Sequence, residues 1–196
     1  VSYTLHLGDC RKQIGCLVNI DAIVTDPPYG LGKKLNGGGW GNVSEWDFLP
    51  DIAFLLELAP IVCVWGGNYH AFPASRGWLV WHKPDAPPSM ANVELAWTNQ
   101  DMNSRMISQT IAATNAERVG HPTQKPLRVM RWCLDTLGIP VGSTVADPFM
   151  GSGTTGVACQ MSGRNFVGWE INPAFYALAE RRISQAQMPM LFEVNA

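Results

Sequence analysis

Short apolar clusters alternate along this chain with stretches of helical periodicity, the pattern of βαβ units around a largely parallel sheet. Residues 21–25 (DAIVT) predict a buried strand that ends at Asp26-Pro27-Pro28-Tyr29. A loop with six glycines follows at residues 30–42 (GLGKKLNGGGWGN). Pro50 suits the first turn of a helix whose apolar face would be Ile52, Leu55, Leu56 and Ala59. Further strands are predicted at 60–65, closed by Gly66-Gly67, and at 77–82 and 93–97. Residues 98–120 are polar and weakly patterned. A helix over 126–137 places Leu127, Met130, Cys133, Leu134 and Leu137 on one face, and Gly138 and Pro140 end it. A strand at 143–146 then runs through a Gly-rich turn into a helix at 154–161, which stops at Gly163. The last strand spans 165–169, and Asn172 caps a helix that starts with Pro173 and buries Phe175, Leu178, Ala179 and Ile183. The stretch from Met188 onward reads as a tail, so residues 1–196 are expected to form a single domain with a tail at 188–196.

Composition narrows the class. Of 196 residues, 46% are apolar and only 15% are charged, which excludes a disordered chain, a histone-like polycation and a coiled coil. The most apolar stretch, from Ile52 to Trp65, is interrupted by Glu57 and Pro60 and falls short of a membrane span. The N-terminal residues lack the charged start and apolar run of a signal peptide. Cys10, Cys16, Cys63, Cys133 and Cys159 are odd in number and form no CxxC, so the expectation is a reducing cytoplasm and no metal site. The net charge of -2 argues at first sight against a nucleic-acid partner. The charges are unevenly placed, however. Residues 45–57 carry Glu45, Asp47, Asp51 and Glu57 with no basic residue, and without them the balance is +2. Residues 101–131 carry Arg105, Arg118, Lys125, Arg128 and Arg131 against Asp101 and Glu117, a local +3. The mild acidity therefore does not exclude DNA; it implies that any phosphate contacts would be few and the binding weak, falling further with salt.

Three segments at predicted strand ends carry the chemistry. Gly151-Ser152-Gly153-Thr154-Thr155-Gly156 joins a strand to a helix, with Glu170 at the next strand end. Glycines let a ligand approach the backbone, the helix N-terminus offers N–H groups to an anion, and a carboxylate about 20 residues on suits a ribose diol. Alone, this pattern fits a nicotinamide or flavin site, or an ordinary tight turn. In Asp26-Pro27-Pro28-Tyr29, two prolines stiffen the chain and remove two donors. That leaves a rigid cluster of acceptors beside an aromatic ring, which fits an exocyclic amino group, or else a stiff turn with a solvated Asp. In His121-Pro122-Thr123-Gln124-Lys125-Pro126, His and Lys could hold an anion, or the prolines could simply bracket a helix start.

Together, DPPY at 26–29, HPTQKP at 121–126 and DPFMGSGTT at 147–155 resemble the beta class of amino DNA methyltransferases that use S-adenosylmethionine. Leu7-Gly8-Asp9-Cys10 and Val167-Gly168-Trp169-Glu170 are similar to that family too, so the likeness spans nearly the whole chain. The resemblance implies a Rossmann-like α/β fold: a mostly parallel seven-stranded sheet with one antiparallel strand and helices on both faces. It makes Asp26, Pro27, Pro28 and Tyr29 the catalytic segment. It assigns Asp147, Pro148, Phe149, Gly151, Ser152, Gly153 and Thr154 to the methionine part of the cofactor, with Asp26 adjoining it. Glu170 would hold the ribose, Asp9 and Cys10 would border the adenine, and Lys125 with Thr123 or Gln124 would meet the cofactor's carboxylate. An Asp-initiated DPPY points to adenine N6, with cytosine N4 as the alternative. No metal is implied.

One departure from the family concerns target recognition. Family members place a sizeable recognition segment where this chain has only residues 98–120, with Arg105 and Arg118 its only basic residues. Asn99, Gln100, Asn103, Ser104, Gln109 and Asn115 could reach base edges there, or the segment could be a polar surface loop. The expectation is a short or relaxed target in double-stranded DNA, or a homodimer whose second subunit completes the reading surface. The enzyme would stand alone or be paired with a restriction endonuclease. The 30–42 loop, with Lys33, Lys34 and Trp40, could be a mobile flap or a solvent loop. Competing readings are a dinucleotide oxidoreductase, in which DPPY and HPTQKP would have no role, and a non-catalytic DNA- or partner-binding module on the same fold.

Overall fold

The computed structural model describes residues 1–14, 19–31, 49–120 and 123–186. Cys16, the greater part of the Gly-rich loop with Lys33, Lys34 and Trp40, the acidic Glu45 and Asp47, His121-Pro122 and the tail lie outside the described residues. In chain order the elements are β1 (Tyr3–Leu7), β2 (Ala22–Thr25), β3 (Ile61–Trp65), β4 (Trp78–His82), β5 (Val93–Thr98), β6 (Arg105–Ser108), α1 (Ile111–Ala116), α2 (Leu127–Thr136), β7 (Thr144–Asp147), α3 (Thr154–Met161), β8 (Asn165–Glu170) and α4 (Pro173–Gln185). Short 3-10 turns lie at Cys10–Lys12, Ala53–Glu57 and Gly67–Tyr69.

The strands form one sheet in the order β1-β8-β7-β2-β3-β5-β4-β6. Every neighbouring pair is parallel except the two that involve β5, so β5 alone runs backwards. The fold class is thus the expected mostly parallel α/β sheet, with eight strands among the described residues rather than seven. The pattern does not mark β1 or β6; β6 pairs with β4 from Leu79↔Arg105 to His82↔Ser108 inside the stretch read as unpatterned. It is short and mostly exposed, so it lacks the apolar alternation that marks a strand.

Central strands are apolar on both faces because both are covered. In β2 all four residues are buried. Ala22 and Val24 face one core, with Val129, Cys133 and Leu134 of α2, Val157 of α3 and Ile183 of α4. Ile23 faces the other, with Cys10, Ile52, Leu55 and Trp97. The predicted helix at 50–59 is only the 3-10 turn Ala53–Glu57, closed by i→i+3 bonds from Leu55 N to Ile52 O and from Leu58 N to Leu55 O. Pro60 disfavours helical backbone at Ala59, and the stretch between the two prolines has too little room for a stable α-helix.

β2 leads to β3 on one side of the sheet, while β7 leads to β8 on the other, and β2 and β7 are neighbours. Chain direction across the sheet therefore reverses between them. Crevices outside the carboxyl ends of strands at such a switch point are the usual ligand sites of open α/β sheets.

Candidate active site

A cleft of about 1350 Å³ opens at that edge. Its wall includes Asp9 and Cys10 after β1, Asp26, Pro27, Pro28 and Tyr29 after β2, and Thr123, Gln124 and Lys125 before α2. It also includes Asp147, Pro148, Phe149, Gly151, Ser152 and Thr154 around the β7–α3 turn, and Glu170 at the end of β8. Of the catalytic and cofactor residues that the resemblance assigns, Gly153 is the one absent from this wall. A Cβ there would point at Ala179 and Ile183 of α4, at 2.9 and 3.0 Å, and φ is +76°. A left-handed turn packed against a helix is thus enough by itself to require glycine at 153.

Lys125 is the hub. Its Nζ donates to Asp26 Oδ2 at 2.7 Å and to Tyr29 Oη at 2.9 Å, and pairs with Glu94 Oε2 at 3.0 Å. Tyr29 in turn donates to Asp26 Oδ1 at 2.6 Å. On the far side, Lys83 Nζ donates to Glu94 Oε1 at 2.9 Å. Burial pushes the Asp26 carboxyl up, against the pull of the Lys125 ammonium. Burial alone would lower Lys125, but Asp26 and Glu94 outweigh it and hold the ammonium well above its ordinary range. Burial would raise Glu94, but Lys125 and Lys83 together keep its carboxyl below the usual value. Burial and the Asp26 charge keep Tyr29 a protonated phenol.

The resemblance placed Lys125 at a cofactor carboxylate. Here its three donors go to Asp26, Tyr29 and Glu94. Gln124 is engaged as well: its Oε1 accepts from Val119 N and its Nε2 donates to Glu117 O, each at 3.1 Å. Among the HPTQKP residues named for that carboxylate, Thr123 lines the cleft beside them.

The Tyr29 ring stacks on Tyr69, with centroids 5.1 Å apart. Its edge lies over Gly66, where a Cβ would come within 2.0 Å of Tyr29 Cε1. Gly66, at φ +69°, therefore both turns the chain after β3 and makes room for the ring.

The other carboxylates are held by the backbone and by hydroxyls. Glu170 accepts from Gly151 N at 3.0 Å and from Asn172 N at 2.7 Å, and burial pushes its carboxyl up against these bonds. Asp147 accepts from the Thr25 and Thr155 hydroxyls, both at 2.6 Å, and from Phe149 N at 3.1 Å. Burial pushes it up to about 6. Its bonds tie β2, β7 and α3 together directly beneath the cleft. Asp9 is clamped by Arg11, which lowers its carboxyl, while burial pushes the Cys10 thiol up to about 11. Arg182 of α4 fixes the Gly-rich turn from behind through Ser152 O at 2.6 Å and Thr154 Oγ1 at 3.1 Å.

Sequence reasoning passed over Glu94, Lys83 and the packing role of Gly66. The signal for Glu94 was a carboxylate inside the apolar strand VELAW, since a charge in a half-buried strand calls for a partner.

A family model described as DNA methylase, covering the N6/N4 group, matches residues 64–181. The chain belongs to that family. It is 33% identical over 115 residues to the type II methyltransferase M2.MboI of Moraxella bovis, which covers 57% of this chain and 42% of that one. It is 41% identical over 70 residues to the DNA adenine methyltransferase YhdJ of Escherichia coli K12, covering 36% of this chain and 24% of that one. The matches thus take in less than half the length of these curated relatives. Among solved structures, the M1.HpyAVI–SAM complex superimposes with a TM-score of 0.65 at 23% identity, covering 92% of this chain and 98% of that one. The cytosine-N4-specific PvuII DNA methyltransferase gives 0.60 at 16% identity, covering 93% and 86%. These last two likenesses establish the shared fold.

Proposed function

We propose that this chain transfers a methyl group from S-adenosylmethionine to the exocyclic amino nitrogen of a base in double-stranded DNA, with adenine N6 as the acceptor. One observation carries the reading: Asp26-Pro27-Pro28-Tyr29 opens into the same cleft as the β7–α3 glycine turn and Glu170. A cleft of about 1350 Å³ exceeds the roughly 300–1,000 Å³ of an ordinary ligand pocket, leaving room for a nucleoside cofactor beside a base. The donor set fits such a cofactor. Glu170 lines the cleft and keeps acceptor capacity for a ribose hydroxyl beyond its backbone partners, and Pro148, Phe149 and Met150 offer apolar surface beside it. The name of the adenine-specific relative favours adenine, as does the Asp that begins the DPPY segment.

When bound, S-adenosylmethionine supplies an electrophilic methyl group on a sulfonium. The amino nitrogen of a base is a poor nucleophile because its lone pair is delocalised into the ring. The base must first leave the stack, at a cost of a few kcal/mol. Asp26 has four lone-pair sites and two are filled by Lys125 and Tyr29, so it can still accept one amino hydrogen. The Pro27 carbonyl would accept the other. Holding both hydrogens turns the nitrogen lone pair toward the methyl carbon and stabilises the positive charge that grows on nitrogen. The Tyr29 ring, fixed by Tyr69 and Gly66, would carry the face of the flipped base. No cysteine is needed, in keeping with the burial of Cys63, Cys133 and Cys159.

Transfer of a tritiated methyl group to unmethylated DNA, followed by nucleoside analysis, tests the reading. The expected product is N6-methyladenine; N4-methylcytosine alone would overturn the choice of base. Asp26→Ala should abolish transfer and leave S-adenosylhomocysteine binding largely intact. Transfer surviving that change would overturn the role of Asp26. Binding of a nicotinamide dinucleotide in preference to S-adenosylhomocysteine would favour the oxidoreductase reading instead.

A further inference from the structure

Behind the residues that would touch the base lies a second layer of charge. Glu94 stands on β5, the one reversed strand, and bridges two ammonium groups: Lys83 at 2.9 Å and Lys125 at 3.0 Å. Lys125 then reaches Asp26 at 2.7 Å. Side-chain exposure is 7% for both lysines, 26% for Glu94 and 20% for Asp26, so these charges meet little water. Two ammoniums and two carboxylates cancel. That balance matters because the reaction places positive charge on a nitrogen next to Asp26. With Lys83 and Lys125 both present, Asp26 alone would leave a net positive charge that opposes the one growing on nitrogen; the Glu94 carboxylate removes it while Lys125 still holds Asp26.

We propose that Glu94, backed by Lys83, is a positioning residue for methyl transfer: it shares the Lys125 ammonium, so that Lys125 fixes the Asp26 carboxylate while the four charges of this network sum to zero. The inference rests on the proposed role of Asp26. A network that serves only to join β5 to the segment before α2 would predict something different, because stability and rate would then fall together.

Charge-balanced variants separate the two. Glu94→Gln keeps the shape and leaves a net positive charge. It should lower kcat by about 10- to 100-fold, somewhat less than the loss of a group that touches the charge directly, with KM for DNA and cofactor little changed. Adding Lys83→Met restores neutrality, and the Lys83→Met/Glu94→Gln protein should regain much of the lost kcat although it lacks more native contacts. Urea unfolding of each variant reports the structural effect independently. A Glu94→Gln protein with wild-type kcat, or a double variant slower than Glu94→Gln, overturns the proposal. Should Glu94→Gln fail to fold, the neutral double variant carries the test: a kcat within about 10-fold of wild type supports the proposal, and a larger loss overturns it. No transfer by the wild-type chain would overturn the functional reading and this inference together, whereas active wild type with an unimpaired Glu94→Gln overturns this inference alone.

Discussion

Gly66→Ala adds one methyl group where the structure has no space for it. The new Cβ would lie 2.0, 2.5 and 2.7 Å from Cε1, Cδ1 and Cζ of Tyr29. Carbon atoms pack at about 3.5–4.0 Å, so the ring would have to withdraw by more than about 1 Å. Its exits are restricted: Tyr69 stacks on it with centroids 5.1 Å apart, and its hydroxyl is tied to Asp26 at 2.6 Å and Lys125 at 2.9 Å. The left-handed backbone at φ +69° adds about 1–2 kcal/mol for any L side chain. Overpacking adds about 1–3 kcal/mol, so a stability loss of about 2–5 kcal/mol is expected in urea unfolding. The effect on rate should be larger than folding alone explains. Tyr29 and Asp26 move as a bonded pair, and a displacement of about 1 Å at reacting groups costs on the order of 10²-fold in rate. Methyl-transfer assays on protein that is folded at the assay temperature should show that loss, with S-adenosylhomocysteine affinity much less affected. A second background isolates the clash: with Tyr29→Ala already present, Gly66→Ala should cost only the backbone contribution of about 1–2 kcal/mol. A Gly66→Ala protein with wild-type transfer rate would refute the placement of the Tyr29 ring and the reasoning built on it.

Asp147 binds its proton more tightly folded, at about 6, than its ordinary 3.8, so its contribution to stability is full below pH 4 and declines as pH rises to 6. Relative to Asp147→Asn, which does not titrate, wild type should lose about 3 kcal/mol across that window in denaturant titrations at fixed pH; a constant difference would contradict the burial of the charge. Arg164 is buried and donates to Ile139 O through Nε at 2.9 Å and Nη2 at 2.6 Å, and it pairs with Asp135 at 3.0 Å. Arg164→Ala should therefore cost about 2–4 kcal/mol in urea unfolding. Asp135→Ala, on the exposed end of the same pair, should cost under about 1 kcal/mol; equal losses would show that the ion pair, not the buried carbonyl, matters.

Strands β2, β3, β7 and β8 were legible because their positions are buried on both faces, and a continuous apolar run with a Gly or Pro stop has few other readings. Helices α2 and α4 were legible from their 3.6-residue periodicity and, for α4, from Asn172, whose side chain accepts from Ala174 N and Phe175 N. β1 and β6 escaped for the opposite reason. They are the two edges of the sheet, largely exposed, and are held by backbone pairing that leaves no trace in side-chain hydrophobicity. The cleft residues were legible as motifs, but their partners were not. Lys125 was visible as a cation near a proline-framed helix start; that it would meet Glu94 depends on β5 running backwards beside β3 and β4, a long-range fact. Gly153 was assigned to the cofactor by the family resemblance, and a motif does not reveal which way a missing Cβ would have pointed.

In the stretch between β5 and α2, most polar side chains already serve the fold. Asn99 accepts from Val62 N at 2.9 Å and donates to Pro60 O at 3.2 Å, while Gln100 donates to the same carbonyl at 2.9 Å. Asn103 accepts from Arg76 and Ser104 donates to Arg76 O, and Gln109 donates to Glu117 Oε1 at 3.1 Å. Five of the six polar side chains that could have reached base edges are therefore occupied in holding β3, β6 and α1 in place. Asn115 remains, on the cleft wall with Arg118 and Asn68. Each of these exposed or part-buried hydrogen bonds must be broken before the same group can read a base, at a net cost of about 0.5–1.5 kcal/mol against the roughly 1–3 kcal/mol that one good base contact provides. Contacts from these five residues would therefore gain less than those of a side chain with no such bond to give up. Among the described residues, Asn68, Asn115 and Arg118 on the cleft wall are the better placed candidates for reading a base in the proposed reaction.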